Sequence, residues 1–65
     1  MSEFTIDAFN PVTEKVVKCH FTFDEESGMT SYVTNSRIAD ISLATSMTVA
    51  ETHARGFLEH IGFEL

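Results

Sequence analysis

The sequence predicts an α+β domain, in which a small antiparallel sheet of three to four strands is covered on one face by a single C-terminal helix. Two observations predict this fold. The first two thirds of the chain contain short segments of alternating apolar and polar residues separated by turn residues, whereas Thr48 to Leu65 carries apolar residues at helical spacing. Because the connections are short, neighbouring strands should be antiparallel, and the order is β-β-β-β-α.

Length and composition indicate a single domain over residues 1–65. A hydrophobic content of 43% with six Phe is enough for one modest core. Cys19 is the single cysteine, so no disulfide forms within the chain, which fits a reducing compartment. Neither a signal peptide nor an apolar run of about 18 residues is present. We therefore expect a cytoplasmic protein, in the host cytoplasm if the chain is viral, with no membrane association.

The first two strands are predicted on either side of a turn at Asn10-Pro11. Residues 4–8 alternate between apolar and polar side chains, and proline lacks the N–H that a central strand position needs. Val16 to Phe23 is β-branched, aromatic and alternating, and is the strongest strand prediction. Its apolar set should face the helix, and consists of Val17, Cys19, Phe21 and Phe23.

A five-residue polar loop, Asp24 to Gly28, predicts a hairpin between the second strand and a third one over Met29 to Thr34. Ile38 to Thr45 is predicted as a fourth strand with Ala39, Ile41 and Leu43 on one face, although its hydrophobic content also allows a helical turn. The sheet face away from the helix is expected to carry Lys18, His20, Thr22, Thr30, Tyr32 and Thr34.

The C-terminal helix has a predicted start, an apolar face and a stop. Thr48 and Glu51 match a capping box, in which each side chain bonds a backbone N–H at the helix start. Gly62 can adopt the left-handed conformation that ends a helix, which places Phe63 against Leu58. The predicted apolar face consists of Ala50, Ala54, Phe57, Leu58 and Ile61.

Ten acidic and four basic residues give a net charge of −6, which opposes direct nucleic-acid binding and favours a basic protein surface as partner. The alternative is that the charge only keeps a small protein soluble. The loop acids could contact such a partner or form a solvated hairpin tip. The predicted partner-binding residues are Asp24, Glu25, Glu26, Glu51 and Glu59.

The histidines and the cysteine do not predict a metal site or catalysis. His53 and His60 lie about 10 Å apart along the helix, too far to chelate one ion together. Cys19 and His20 are adjacent on a strand and point to opposite faces, and a thiol facing the core is inert. No nucleophile motif or phosphate-binding glycine loop occurs. We predict no enzyme activity, no cofactor and no metal.

Gly56 lies in the middle of the predicted helix, where glycine costs about 1 kcal/mol relative to alanine. Glycine at such a position often lets another backbone approach closely. The alternative is a glycine that tertiary packing tolerates. The stripe beside the apolar face is a candidate homodimer contact or partner groove, and consists of Val49, His53, Gly56 and His60.

These observations favour a non-catalytic protein-interaction module. In its most specific form, this hypothesis is an inhibitor whose acidic residues mimic nucleic acid and bind the basic surface of a protein that handles nucleic acid. In general terms, a small acidic strand-rich domain with one covering helix is similar to many phage or mobile-element accessory proteins that bind a host protein. The alternative hypothesis is a self-associating structural or accessory protein that forms a homodimer through the helix flank or a sheet edge.

Overall fold

The chain folds into a four-stranded antiparallel sheet with one helix on one face, as predicted. The computed structural model describes all 65 residues. The strands pair in the order in which they occur, so the sheet is a meander without crossovers. The elements are β1 (Ser2–Asn10), β2 (Lys15–Phe23), β3 (Met29–Val33), β4 (Ile38–Leu43) and α1 (Met47–His60).

The hairpin of β1 and β2 is the longest part of the sheet, with nine consecutive residue pairs from Ser2 opposite Phe23 to Asn10 opposite Lys15. The Asn10 side-chain oxygen accepts a hydrogen bond from the Val12 N–H at 2.9 Å, which closes the turn predicted at Asn10-Pro11. This long register sets the face of every side chain in both strands, because cross-strand partners lie on the same side of a sheet.

The core lies between this sheet and α1. Phe21 is 1% exposed, and its ring stacks on Phe4 with centroids 5.3 Å apart. Val17 lies on the same side of β2 but at the margin of the core, where it is 37% exposed. The fully buried apolar residues form two clusters, one of Ala8, Cys19, Phe21, Ala54 and Leu58, and one of Phe23, Ala44 and Ala50.

Two residues predicted for the solvent face lie on the helix face instead. Tyr32 pairs with Phe21, and Thr30 pairs with Phe23, so both point toward α1. The pairing register between β2 and β3, which depends on the loop that joins them, determines which β3 side chains face the helix. Alternation within β3 shows only which side chains share a face. Gly28 has a φ of +81° there, and its carbonyl accepts the Ala44 N–H at 2.7 Å.

β4 is a strand rather than a helical turn, and it contains a β-bulge. Ser31 pairs with Asp40 but Thr30 pairs with Ser42, so Ile41 has no partner across the strand pair. The prediction that Ala39, Ile41 and Leu43 share a face is therefore wrong. After the extra residue, Leu43 points to the side away from α1 and is 64% exposed.

The helix begins two residues earlier than the capping box predicts. Ser46 is the N-cap, and its Oγ accepts a hydrogen bond from the Val49 N–H. Thr48 and Glu51 consequently lie inside α1, and the predicted capping box is wrong. Serine and threonine are both favourable N-cap residues, so the sequence allows a cap at Ser46 or at Thr48. The path of the chain after β4 determines which of the two is the N-cap.

The predicted end of the helix is confirmed. Gly62 has a φ of +107°, and the Phe63 N–H donates to the Leu58 carbonyl at 2.9 Å, as in a Schellman motif. Ile61 is the C-cap and is 45% exposed, so it does not belong to the buried face as predicted. Beyond the helix, Glu64 exchanges two backbone hydrogen bonds with Phe9, and this contact lines the outer edge of β1. α1 is too short and too polar to cross a membrane.

Candidate functional site

The side of the sheet away from α1 is uncovered, and we call it the open face. Two rows of paired residues run across all four strands on this side. The first row contains Glu3, Thr22, Ser31 and Asp40, and the second contains Thr5, His20, Val33 and Ile38. Lys18 and Asp7 form a further pair between β1 and β2. The open face therefore presents a continuous surface of side chains from one edge of the sheet to the other.

Large aliphatic side chains are exposed on the open face along β4 and at the start of β2. Ile38 is 65% exposed, Leu43 64% and Val16 69%. Met29 and Val33 on β3 lie opposite Leu43 and Ile38 and are half-buried. Apolar groups gathered on one face of a small protein are typical of a contact surface, whereas isolated ones are ordinary.

Carboxylates from both edge strands lie on the same face as these aliphatic groups. Glu3, Asp7 and Asp40 are exposed on the open face, where Lys18 is the basic residue among the paired positions. The Ser31 hydroxyl donates to Asp40 Oδ1 at 2.9 Å, which holds that carboxylate on the sheet surface. The open face thus combines exposed aliphatic groups on β4 with carboxylates on β4 and β1.

Two depressions mark the open face. One has a volume of about 420 Å³ and is lined by Glu3, Thr5, His20 and Val33 together with parts of Phe4 and Phe21. The other, of about 250 Å³, is lined by Met1, Thr22, Asp24, Met29, Ser31, Ile38 and Asp40. Each combines at least one carboxylate with apolar side chains. Such surfaces suit lysine and arginine side chains, whose aliphatic stems cover apolar groups while their charged ends reach acids.

The predicted acidic loop lies at one end of this surface. Asp24 lines the smaller depression, and its Oδ1 also accepts the Glu26 N–H at 2.9 Å. Glu25 bonds the Ser2 hydroxyl and lies 3.2 Å from the amino terminus. The hydrogen bond from Ser2 lowers the pKa of Glu25 below its usual value, with a smaller contribution from the amino terminus. The Glu25 carboxylate is therefore already paired within the chain, whereas the carboxylates of Asp24 and the exposed Glu26 can contact a partner.

The other two predicted acidic residues lie apart from the open face. Glu51 and Glu59 are on α1, which covers the opposite side of the sheet. A partner lying flat on the open face could contact Asp24, Glu3 and Asp40 but could not reach the outer side of the helix at the same time. The sequence missed Glu3 and Asp40 because nothing in their local pattern distinguishes them from ordinary surface acids.

Cys19 and His20 point in opposite directions, as predicted. Cys19 is buried in the core, and this burial raises the pKa of its thiol above the ordinary value, while the neighbouring Tyr32 side chain lowers it by a smaller amount. A thiol in that state is a poor nucleophile. Nowhere in the structure do three His, Cys, Asp or Glu side chains converge as metal ligands would.

The stripe predicted on the helix flank lies on the β4 side of α1. His53 and His60 line a shallow depression of about 340 Å³ that is open to solvent, together with Phe57, Ile41 and Ser42. The Ser42 hydroxyl lies 2.8 Å from His53 Nδ1. A methyl group built on Gly56 would contact nothing within 4 Å, so packing inside the chain does not require a glycine there. Sequence reasoning missed Ser42, because the bulge at Ile41 turns it toward the helix.

Comparison with known proteins adds no functional assignment. The chain matches no family model, no curated protein and no solved structure.

Proposed function

We propose that this protein is a non-catalytic interaction module that binds a basic surface of another protein through the open face of its sheet. The observation that supports this proposal is the combination on one uncovered surface of exposed aliphatic side chains, Ile38 and Leu43, with the carboxylates of Glu3 and Asp40. Burying the aliphatic groups supplies affinity, and the carboxylates select a partner of opposite charge.

The charge of the chain favours a protein over a nucleic acid as the partner. A net charge of −6 repels phosphates, and Lys18 is the basic residue paired into the open face. A basic protein that normally holds nucleic acid would meet carboxylates here where it otherwise meets phosphates. Inhibition of such a protein in the cytoplasm, by occupation of its nucleic-acid site, is the specific form of the proposal.

Self-association is the second candidate. Two open faces would bring Glu3, Asp7 and Asp40 of each copy together, and like charges oppose that contact. The bulge in β4 also blunts its free edge for strand pairing. The helix flank is the remaining surface for a homodimer, favoured by the open space at Gly56.

Capture of partners by the immobilised protein from an extract of its native cell tests the main proposal. Three versions are compared: the natural chain, an open-face variant with Glu3→Gln and Asp40→Asn, and a helix variant with Glu51→Gln and Glu59→Gln. Each is washed at about 0.05 M and about 0.5 M salt, because the higher concentration screens exposed charges. We expect a basic protein to be retained by the natural chain and the helix variant, and lost from the open-face variant and at high salt.

Addition of duplex DNA to the same capture tests the mimicry. The retained protein should be released by DNA, because both would occupy one basic site. Retention of acidic proteins, or loss of binding from the helix variant alone, would refute the open face as the contact. Sedimentation at several protein concentrations measures the oligomeric state and so tests self-association. That second candidate requires a dimer in the natural chain and its loss in Gly56→Leu.

A further inference from the structure

Three departures from regular local structure lie on the elements around the corner between α1 and β4, namely on α1, on β4 and on the neighbouring strand β3. Gly56 occupies a mid-helix position where alanine would be more favourable and would meet no neighbouring atom. Ile41 is a β-bulge in β4. The hydroxyl of Thr30 is fully buried without a hydrogen-bond partner, and Thr30 pairs across the strands with Ser42. Local costs of this kind concentrate at functional sites.

Several hydrogen-bonding side chains line the depression at this corner. Ser42 Oγ and His53 Nδ1 are hydrogen-bonded at 2.8 Å, and either atom can be the donor. If serine donates, the neutral imidazole carries its proton on Nε2; if histidine donates, the serine hydroxyl proton is free to turn elsewhere. Either arrangement leaves one donor available beside the depression. His60 contributes a second imidazole to the same lining.

The rest of the lining is apolar and carries no carboxylate. Ile41 and Phe57 form the walls, and Phe57 is fixed by contact with Tyr32 at a centroid distance of 5.3 Å. In a chain with a net charge of −6, a depression lined by two imidazoles, one hydroxyl and no acid differs from the two depressions on the open face, each of which contains a carboxylate. The depression is shallow and open to solvent, and its volume of about 340 Å³ is at the lower end of the range of small-molecule sites, so it suits a small ligand that stays partly exposed.

We propose that this corner binds a small organic carboxylate with an apolar body. The carboxylate would accept hydrogen bonds from the Ser42–His53 pair and from His60, and the apolar body would lie between Ile41 and Phe57. A cation lacks an acidic partner in this lining, and inorganic phosphate would leave both apolar walls in contact with water. The bulge places Ile41 and Ser42 next to each other on the helix side, and Gly56, between His53 and His60 on α1, adds no side chain beside them.

Titration of the full chain with phenylacetate, followed through its backbone amide NMR signals, tests this site. Phenylacetamide has the same body without the charge, and inorganic phosphate has charge without the body. We expect phenylacetate to shift the signals of residues 41–43 and 53–60, and both comparison compounds to bind at least tenfold more weakly. His53→Gln and Ser42→Ala should each weaken phenylacetate binding by about tenfold or more.

His20→Gln is the matched control, because His20 is the third histidine and lines a different depression on the open face. This variant should bind phenylacetate as the natural chain does. The unchanged signals of β1 in each variant establish that the fold is retained. Ile38→Lys, which alters the proposed protein contact, should also leave phenylacetate binding unchanged, so the two proposals fail separately.

Three results would overturn the carboxylate site. Equal shifts with phenylacetamide would show that the charge is not recognised, and equal losses in the His20 and His53 variants would place binding elsewhere. Shifts at the helix flank that depend on protein concentration without ligand would show that a second copy of the chain occupies the corner instead.

Discussion

The two faces of the sheet are built from the same four strands but differ in what their side chains do. On the covered face, four aromatic rings follow one another from β1 to α1, with successive centroids 5.3, 5.1 and 5.3 Å apart, in the order Phe4, Phe21, Tyr32 and Phe57. On the open face, aliphatic groups such as Ile38 remain in water beside carboxylates. The covered face holds the domain together, and the open face is the surface that we propose for a partner.

This division has energetic consequences in so small a protein. A chain of 65 residues has a total free energy of unfolding of about 3–10 kcal/mol. A single large cavity in the covered face can remove most of it, whereas truncation of an exposed group on the open face removes little. Substitutions on the two faces should therefore separate stability from binding.

The largest effect is expected for Phe21→Ala, which removes a ring that is 1% exposed. The free energy of unfolding should fall by about 3–5 kcal/mol, leaving much of the protein unfolded. Ile38→Ala, on the 65% exposed side chain, should change it by no more than about 0.5 kcal/mol. Urea unfolding followed by circular dichroism measures both, and similar losses for the two variants would contradict the division between the faces.

A smaller and opposite effect is expected at Thr30. Its buried hydroxyl has no partner, so Thr30→Val should raise the free energy of unfolding by about 1–3 kcal/mol. Its neighbour Ser31 faces the other way and donates to Asp40 at 2.9 Å, so Ser31→Ala should lower the same quantity by about 1 kcal/mol. Chemical denaturation of both variants checks the signs; a loss of stability in Thr30→Val would mean that the hydroxyl is satisfied.

The helix that covers the sheet offers a third comparison. Ser46 Oγ caps the first turn of α1, so Ser46→Ala should cost about 1 kcal/mol. Thr48 lies inside the helix, and Thr48→Ala should be neutral or slightly stabilising, because alanine has the higher helix propensity. Thermal unfolding of the two variants distinguishes Ser46 from Thr48 as the cap. A larger loss of stability in Thr48→Ala than in Ser46→Ala would instead support the capping box of Thr48 and Glu51.

The smallest effect is expected from alkaline pH, and it should come from the covered face. Burial raises the pKa of the Cys19 thiol and that of the Tyr32 hydroxyl above their ordinary values. A raised pKa in the folded state gives stability that is complete below the unfolded value and is lost as pH rises through the folded value. The urea midpoint should therefore fall above about pH 9, where free thiols and then free phenols ionise in the unfolded chain, and it should fall less in Tyr32→Phe than in the natural chain. An equal fall in both would exclude Tyr32 as a contributor.

Local patterns were sufficient for much of the fold. The alternation in residues 4–8 and in Val16 to Phe23 predicted which side chains of β1 and β2 enter the core, because a strand has a side-chain period of two. Gly62 and Phe63 predicted the end of α1 because the Schellman motif depends on only a few consecutive residues. The open face followed from the predicted architecture, since one helix covers only one side of a sheet.

The composition of the open face and of the corner beside α1 depended on contacts between distant segments. Pairing with β2 turned Thr30 and Tyr32 toward the helix, and one extra residue at Ile41 turned Leu43 away from it and Ser42 toward His53. A shift of one residue in register reverses the face of every side chain that follows, and no local pattern encodes that register. Periodicity thus determined the elements, and only strand pairing decided which residues meet at the two candidate sites.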